Sequence, residues 1–142
     1  MNLFLGNIQI RMATVEILRP SCAPLALGPY SPMIRVGNMI WGSALAGVDP
    51  ATRLLAGDTV YLQTKQSLLL MKGMLESCDS DLNHVVSMTI FLKDMADFSE
   101  LNRAYVEAFG NHQPTRSVVS VIDVPKPGAL LTMNFVAVTK DG

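Results

Sequence analysis

Charge is scarce in this 142-residue chain: Asp, Glu, Lys and Arg make up 16% of it, against roughly a quarter in an average soluble domain. Lys and Arg number 11 and Asp and Glu 12, for a net charge of −1. There is no basic stripe for a nucleic-acid backbone and no polybasic run for an anionic membrane. Long apolar runs are missing too, and none approaches the ~20 residues a membrane-spanning helix needs. Cysteine and histidine are sparse and scattered: Cys22, Cys78, His84 and His112. Neither a disulfide framework nor a zinc site can be built from them, so no metal is expected. Reduced thiols in a cytoplasmic protein are the expectation. G-x-S-x-G, G-x-x-x-x-G-K-[ST], H-E-x-x-H and C-x-x-C are all absent.

What is abundant is apolar side chain, 49% of the sequence. That length suits one domain with a real core, and the apolar excess suggests surface buried between subunits. Residues 1–11 (MNLFLGNIQIR) lack the basic start and unbroken apolar stretch of a signal peptide. They read as a short, poorly ordered extension before a single domain over residues 12–142. Thr14–Leu18 alternates as a strand, and the loop at Cys22–Tyr30 is marked by Pro24, Gly28 and Pro29. Met33–Val36 and Met39–Ser43 flank Gly37-Asn38 as a tight hairpin. A helix capped by Asp58 or Thr59 runs to about Ser77, with Leu62, Leu69 and Met74 on an apolar face that Leu68–Met71 widens. Val85–Leu92 is a β-branched strand, and Phe98–Phe109 a second helix with Asp97 as N-cap and Gly110 beyond its end. Ser117–Ile122 and Leu130–Thr139 close the chain around Pro125-Lys126-Pro127-Gly128. This order predicts an α+β fold, a mixed sheet of about six strands with two helices packed on one face.

Composition offers little chemistry. Cys22 and Cys78 read as inert buried thiols, His84 and His112 as solvated or structural, and Trp41 as core or subunit packing. Nine methionines fit core-filling better than ligand binding. Arg116 stands apart, because it opens an apolar strand just after Pro114. A planar guanidinium at a sheet end suits a bidentate carboxylate, although a solvated strand-end arginine gives the same local pattern.

The wider pattern resembles the Rid family, also called YjgF or L-PSP proteins. The resemblance runs through Gly28-Pro29-Tyr30-Ser31, Val36–Ile40, Gln63-Thr64 with Gln66–Leu68, Val85-Val86, Thr89, Phe91-Leu92 and Asp94-Met95. It continues with Asp97-Phe98, Asn102, Tyr105, Phe109, Pro114-x-Arg116-Ser117 and Val124-Pro125-Lys126. It covers Met12 to the end in order, with one apparent inserted residue near Pro127, and family members often begin about where Met12 lies. The resemblance implies a chorismate-mutase-like fold and a homotrimer with a central barrel and clefts at subunit interfaces. It implies hydrolysis of 2-imino acids such as 2-iminopropanoate and 2-iminobutanoate to 2-oxo acids and ammonia, with no cofactor. Carried over by position, Arg116 would clamp the substrate carboxylate, Tyr30 close the cleft, and Ser43 and Asn102 line it. The family's Ser-Gly-Gln continues here as Ser43-Ala44-Leu45. Its Glu-x-Glu on the last strand is Thr132-Met133-Asn134, so Asn134 stands for the glutamate expected to orient the hydrolytic water. An amide can hydrogen-bond that water but cannot accept its proton. A non-catalytic binder of small carboxylates, and a ribonuclease, translation-inhibitor or chaperone-like relative, are the alternatives. The charge balance argues against nucleic acid as partner.

Overall fold

A computed structural model describes residues 2–6, 8–11 and 13–141. Met1, Asn7, Met12 and Gly142 lie outside the described residues, and with Met12 the expected start of the domain. Strands β1 (Asn2–Leu5) and β2 (Ile8–Arg11) pair antiparallel as a separate two-stranded sheet, in place of the poorly ordered extension expected there. The remaining strands are β3 (Val15–Leu18), β4 (Met33–Val36), β5 (Met39–Leu45), β6 (Val85–Leu92), β7 (Thr115–Ser120) and β8 (Leu131–Val138). They form one sheet in the order β3-β4-β5-β8-β6-β7. Every neighbouring pair is antiparallel except β6 and β7. Those two run parallel because helix α2 (Phe98–Phe109) carries the chain back between them. Helix α1 (Val60–Glu76) occupies the other long connection. The α+β architecture, with a mixed six-stranded sheet and two helices, is the one expected.

Local chemistry explains most boundaries. Gly37 turns the β4–β5 hairpin with φ +60, a left-handed conformation that glycine adopts without steric cost. Thr59, not Asp58, caps α1: its hydroxyl accepts from the Leu62 amide at 3.2 Å. Asp97 holds the cap position of α2 without a side-chain bond. Asp94 instead caps a preceding single turn, Met95–Asp97, by accepting from the Ala96 amide at 2.9 Å. Strand β7 starts two residues before the expected Ser117, since Thr115 and Arg116 already pair with Ser87 and Met88. It also ends two residues early, leaving Ile122 fully exposed.

The helix-covered face of the sheet holds the core. Met33, Ile40, Met88, Ile90, Met133 and Phe135 lie there against Leu68, Met71, Met74 and Leu75 of α1 and Leu101 of α2. Each such side chain contributes about 1.5–3 kcal/mol on burial. Gly42 faces Phe135 across β5 and β8, and a β-carbon there would sit 2.1 Å from the ring. The buried side of α1 is rotated from the one its leucines suggest. Leu62 and Leu69 are exposed, while Gln63, Thr64 and Ser67 are fully buried. Gln63 turns inward because it anchors loops, whereas the buried hydroxyls of Thr64 and Ser67 make no hydrogen bond among the described residues. The Gln63 amide donates to the Gly57 and Gly128 carbonyls, and its oxygen accepts from the Leu130 amide at 2.8 Å. Among the described residues, no helix is long and apolar enough to cross a membrane.

Candidate functional site

The anchored loops bound a cleft of about 590 Å³. One wall is the loop from Pro24 to Tyr30, and the floor is the end of β5 from Ser43 to Leu45. Pro125, Lys126 and Thr132 face them, and Val48–Pro50 with Arg53 form the mouth. A register shift between Gly42 and Leu45 gives β5 two residues, Ser43 and Ala44, opposite one on β8. Such a bulge re-aims the strand end. The Ser43 hydroxyl donates to the Ser31 carbonyl at 2.7 Å, tying the strand to the Tyr30 loop. Tyr30 is held by its own loop, its hydroxyl accepting from the Leu27 amide at 3.1 Å. The Gln66 amide donates to the Val48 carbonyl at 3.0 Å and fixes the mouth to α1. Tyr30 and Ser43 therefore line the same cleft.

Arg116 and Asn102 are elsewhere. Arg116 lies on the helix-covered side of the edge strand β7, with its guanidinium 4.8 Å from the Tyr105 ring centre and 5.5 Å from that of Phe98. Phe98, Asn102 and Tyr105 recur at helical spacing, so Asn102 shares the α2 face that carries both rings. Stacking of this kind is worth about 1 kcal/mol and fixes the guanidinium plane. Among the described residues Arg116 makes no ion pair. The Tyr105 hydroxyl beside it is buried with no hydrogen-bond partner. Burial pushes that phenol above its ordinary pKa, with the Arg116 charge working the other way. Three strand spacings separate β5 from β7, or about 14 Å. Arg116 does not line the cleft.

Asn134 does not line the cleft; Thr132, two residues earlier on the same side of β8, does. Strand alternation puts both on one face, and sequence alone could not say which meets the cavity. Arg53 and Lys126 were not foreseen as lining residues. Lys126 belongs to a quoted motif, but nothing in the sequence marks Arg53. The histidines are structural: His84 Nδ1 lies 2.6 Å from an Asp81 carboxylate oxygen, and His112 Nε2 2.7 Å from the Val85 carbonyl. Burial pushes the Cys78 thiol up in pKa, and it donates to the Met74 and Leu75 carbonyls. Neither cysteine lines the cleft. Trp41 is not core; it is 44% exposed on the face of the sheet away from the helices.

Known proteins share this fold. The family model described as Endoribonuclease L-PSP matches residues 21–139. A RutC family protein of Pyrococcus abyssi is 37% identical over 122 residues, covering 86% of this chain and 95% of that protein. A mouse protein named 2-iminobutanoate/2-iminopropanoate deaminase is 32% identical, over 87% of this chain and 90% of its own. Among solved structures, a putative endoribonuclease L-PSP from Entamoeba histolytica superposes with a TM-score of 0.83 at 36% identity, covering 88% of this chain and 99% of that one. Escherichia coli TdcF with bound serine superposes with a TM-score of 0.81 at 30% identity, over 88% and 99%. Because the family model spans residues 21–139 and a relative 37% identical covers most of both chains, the chain belongs to the L-PSP family, the Rid or YjgF family that its sequence resembles.

Proposed function

We propose that the protein is a cytoplasmic homotrimer that hydrolyses reactive 2-imino acids, with each site assembled from the Tyr30 cleft of one subunit and Arg116 of the next. The observation that carries this reading is the guanidinium of Arg116, which lies over two rings on the edge strand, has no carboxylate partner among the described residues and does not line the cleft it would complete. Two parallel charge-assisted bonds from it would hold the substrate carboxylate and so fix the imine plane. Water adds to the imine carbon, the C–N bond of the tetrahedral adduct breaks, and ammonia leaves a 2-oxo acid. Tyr30 closes the cleft, and the Thr132 hydroxyl is the cleft group suited to hold the water.

Names of relatives support the chemistry, and a bound serine in one structural neighbour supports a ligand of amino-acid size. The assembly is supported by the uncovered sheet face, where Val15, Ile17, Trp41 and Val119 keep 72, 52, 44 and 43% of their surface. One observation favours binding without turnover. The cleft's one carboxylate, Asp49, already accepts from the Ala51 and Thr52 amides, and neither Thr132 nor Asn134 can act as a carboxylate base. A coupled assay following ammonia or 2-oxobutanoate release from freshly generated 2-iminobutanoate decides. Slow but saturable hydrolysis is expected. Saturable 2-oxobutanoate binding with no hydrolysis would leave a binder.

A further inference from the structure

In one subunit the cleft, about 590 Å³ before any neighbour's Arg116 enters it, has room for an acid longer than four carbons. Its walls are mostly apolar, from Leu25, Leu27 and Val48 among others. Its mouth carries two cations, Arg53 and Lys126. Five other Lys and Arg side chains sit 2.6–3.9 Å from a carboxylate. Among the described residues, Arg53 and Lys126 have no such partner, which they share with Arg19, Lys72 and Arg116, but of these only Arg53 and Lys126 line the cleft.

Arg53 is also held in an unusual backbone conformation, at φ +64. A β-carbon is strained in that conformation, which glycine or asparagine would adopt more readily. The turn is nonetheless firmly built. The Arg53 amide donates to the Asp49 carbonyl at 2.7 Å, and the Lys126 ammonium donates to the Arg53 carbonyl at 3.2 Å. That bond locks the two loops together and leaves two ammonium donors free for a ligand. Asp49, the acid nearest in sequence, is occupied by the Ala51 and Thr52 amides.

We infer that Arg53 and Lys126 form a second anion subsite, and that the preferred substrates are 2-imino acids with a distal carboxylate, the 2-imino dicarboxylates. The inference rests on the imine-hydrolase reading, in which Arg116 of the neighbour takes the carboxylate next to the imine. The cations at the mouth then take the far carboxylate, with the carbon chain along the apolar wall. A monocarboxylate leaves them solvated and gains nothing from them.

Calorimetric titration of the whole protein with 2-oxoglutarate and with 2-oxobutanoate, the hydrolysis products of a dicarboxylic and a monocarboxylic substrate, tests this without relying on turnover. Tighter binding of 2-oxoglutarate by about tenfold is expected, the size of one charge-assisted contact. Arg53→Asn keeps a residue that tolerates the left-handed turn, and Lys126→Gln keeps a donor for the Arg53 carbonyl. In both variants the affinity ratio should fall toward one. Equal affinities in the parent would overturn the subsite and leave the imine-hydrolase reading standing. A tenfold ratio that survives both substitutions would also overturn it. Failure to bind either acid would remove the reading on which the subsite rests, and the subsite with it.

Discussion

On the helix-covered face of the sheet Ile40, Ile90 and Met133 are wholly hidden, whereas on the opposite face Val15, Ile17 and Trp41 keep about half their surface or more. The same strands supply both faces, and strand alternation makes both apolar. One row across the open face runs Ile17, Ile34, Trp41, Val136 and then Ser87 and Thr115. A second runs Val15, Val36, Met39 and Val138. In these rows apolar residues cover β3, β4, β5 and the Val136–Val138 end of β8, and the first row ends in the hydroxyls of Ser87 and Thr115. The closed face is completed by the chain's own helices. On the open face Val15, Ile17 and Trp41 stay exposed, and the cleft lies beside the central strands β5 and β8 while Arg116 is on the edge strand β7.

The strongest way to break that contrast is to charge the open face. Trp41→Asp puts a carboxylate at the centre of its apolar row while leaving the closed core untouched. Light scattering should read three times 15.4 kDa for the parent and 15.4 kDa for the variant, with unchanged far-ultraviolet dichroism. Imine hydrolysis should vanish with assembly, because the Tyr30 cleft and Arg116 would no longer meet. A parent that is monomeric at micromolar concentration would refute the assembled site outright.

Next in size is the clamp. Arg116→Ala should weaken 2-oxobutanoate binding by about 2–5 kcal/mol, the cost of losing a desolvated charged contact. Arg116→Lys should recover little, since lysine keeps the charge without the planar fork and stacks less well on Tyr105 and Phe98. Titration calorimetry measures both. Full affinity in the alanine variant would make Arg116 a strand-end residue with no ligand.

A third experiment separates two positions on β8. Thr132 lines the cleft and is 7% exposed, whereas Asn134 sits opposite Thr89 in the sheet and does not line it. Restoring a carboxylate at the cleft should supply a general base, so Thr132→Glu should raise kcat/KM on 2-iminobutanoate by about 10²-fold. Asn134→Glu should give a smaller gain. An unpartnered buried carboxylate costs stability, so the thermal midpoint of the Thr132 variant should fall. A folded Asn134→Glu variant faster than Thr132→Glu would return the water-orienting role to Asn134.

Much of this was legible in the sequence, and the failures have physical causes. Glycine and proline punctuation located the loops, and period changes separated Val60–Glu76 and Phe98–Phe109 from the strands around them. Helix rotation was misread on α1 because Leu62 and Leu69 match the apolar pattern. Gln63 was drawn inward by three backbone groups that lie up to 67 residues away in sequence. The open face of the sheet was foreshadowed only as an apolar excess, because alternation does not say what covers a face. Tyr30 and Ser43 could be paired through the resemblance. Arg53 could not be found, since its place at the mouth depends on a left-handed turn and on a lysine 73 positions later.

The smallest effect belongs to a region outside both faces, and it serves as the control for the others. Asp81 accepts from His84 at 2.6 Å and lies 3.7 Å from the Lys140 ammonium. The His84 hydrogen bond, helped by the charges of His84 and Lys140 and opposed by burial, holds the Asp81 carboxyl below its ordinary 3.8. A carboxyl depressed in the folded state is ionised there at pH values where the unfolded chain has begun to take up its proton. Its stabilisation is therefore fully present above the ordinary value and disappears as pH falls through the lower, folded one. Asp81→Asn should cost at most about 1 kcal/mol at neutral pH, the scale of a partly exposed pair. The difference in thermal midpoint between parent and variant should shrink below pH 4 and close once the folded-state carboxyl is protonated. Neither mass in solution nor 2-oxobutanoate affinity should change, because Asp81 lies in the turn before β6, off the open sheet face and outside the cleft lining. A midpoint difference that stayed constant down to pH 2 would show that Asp81 acts through packing rather than through its charge.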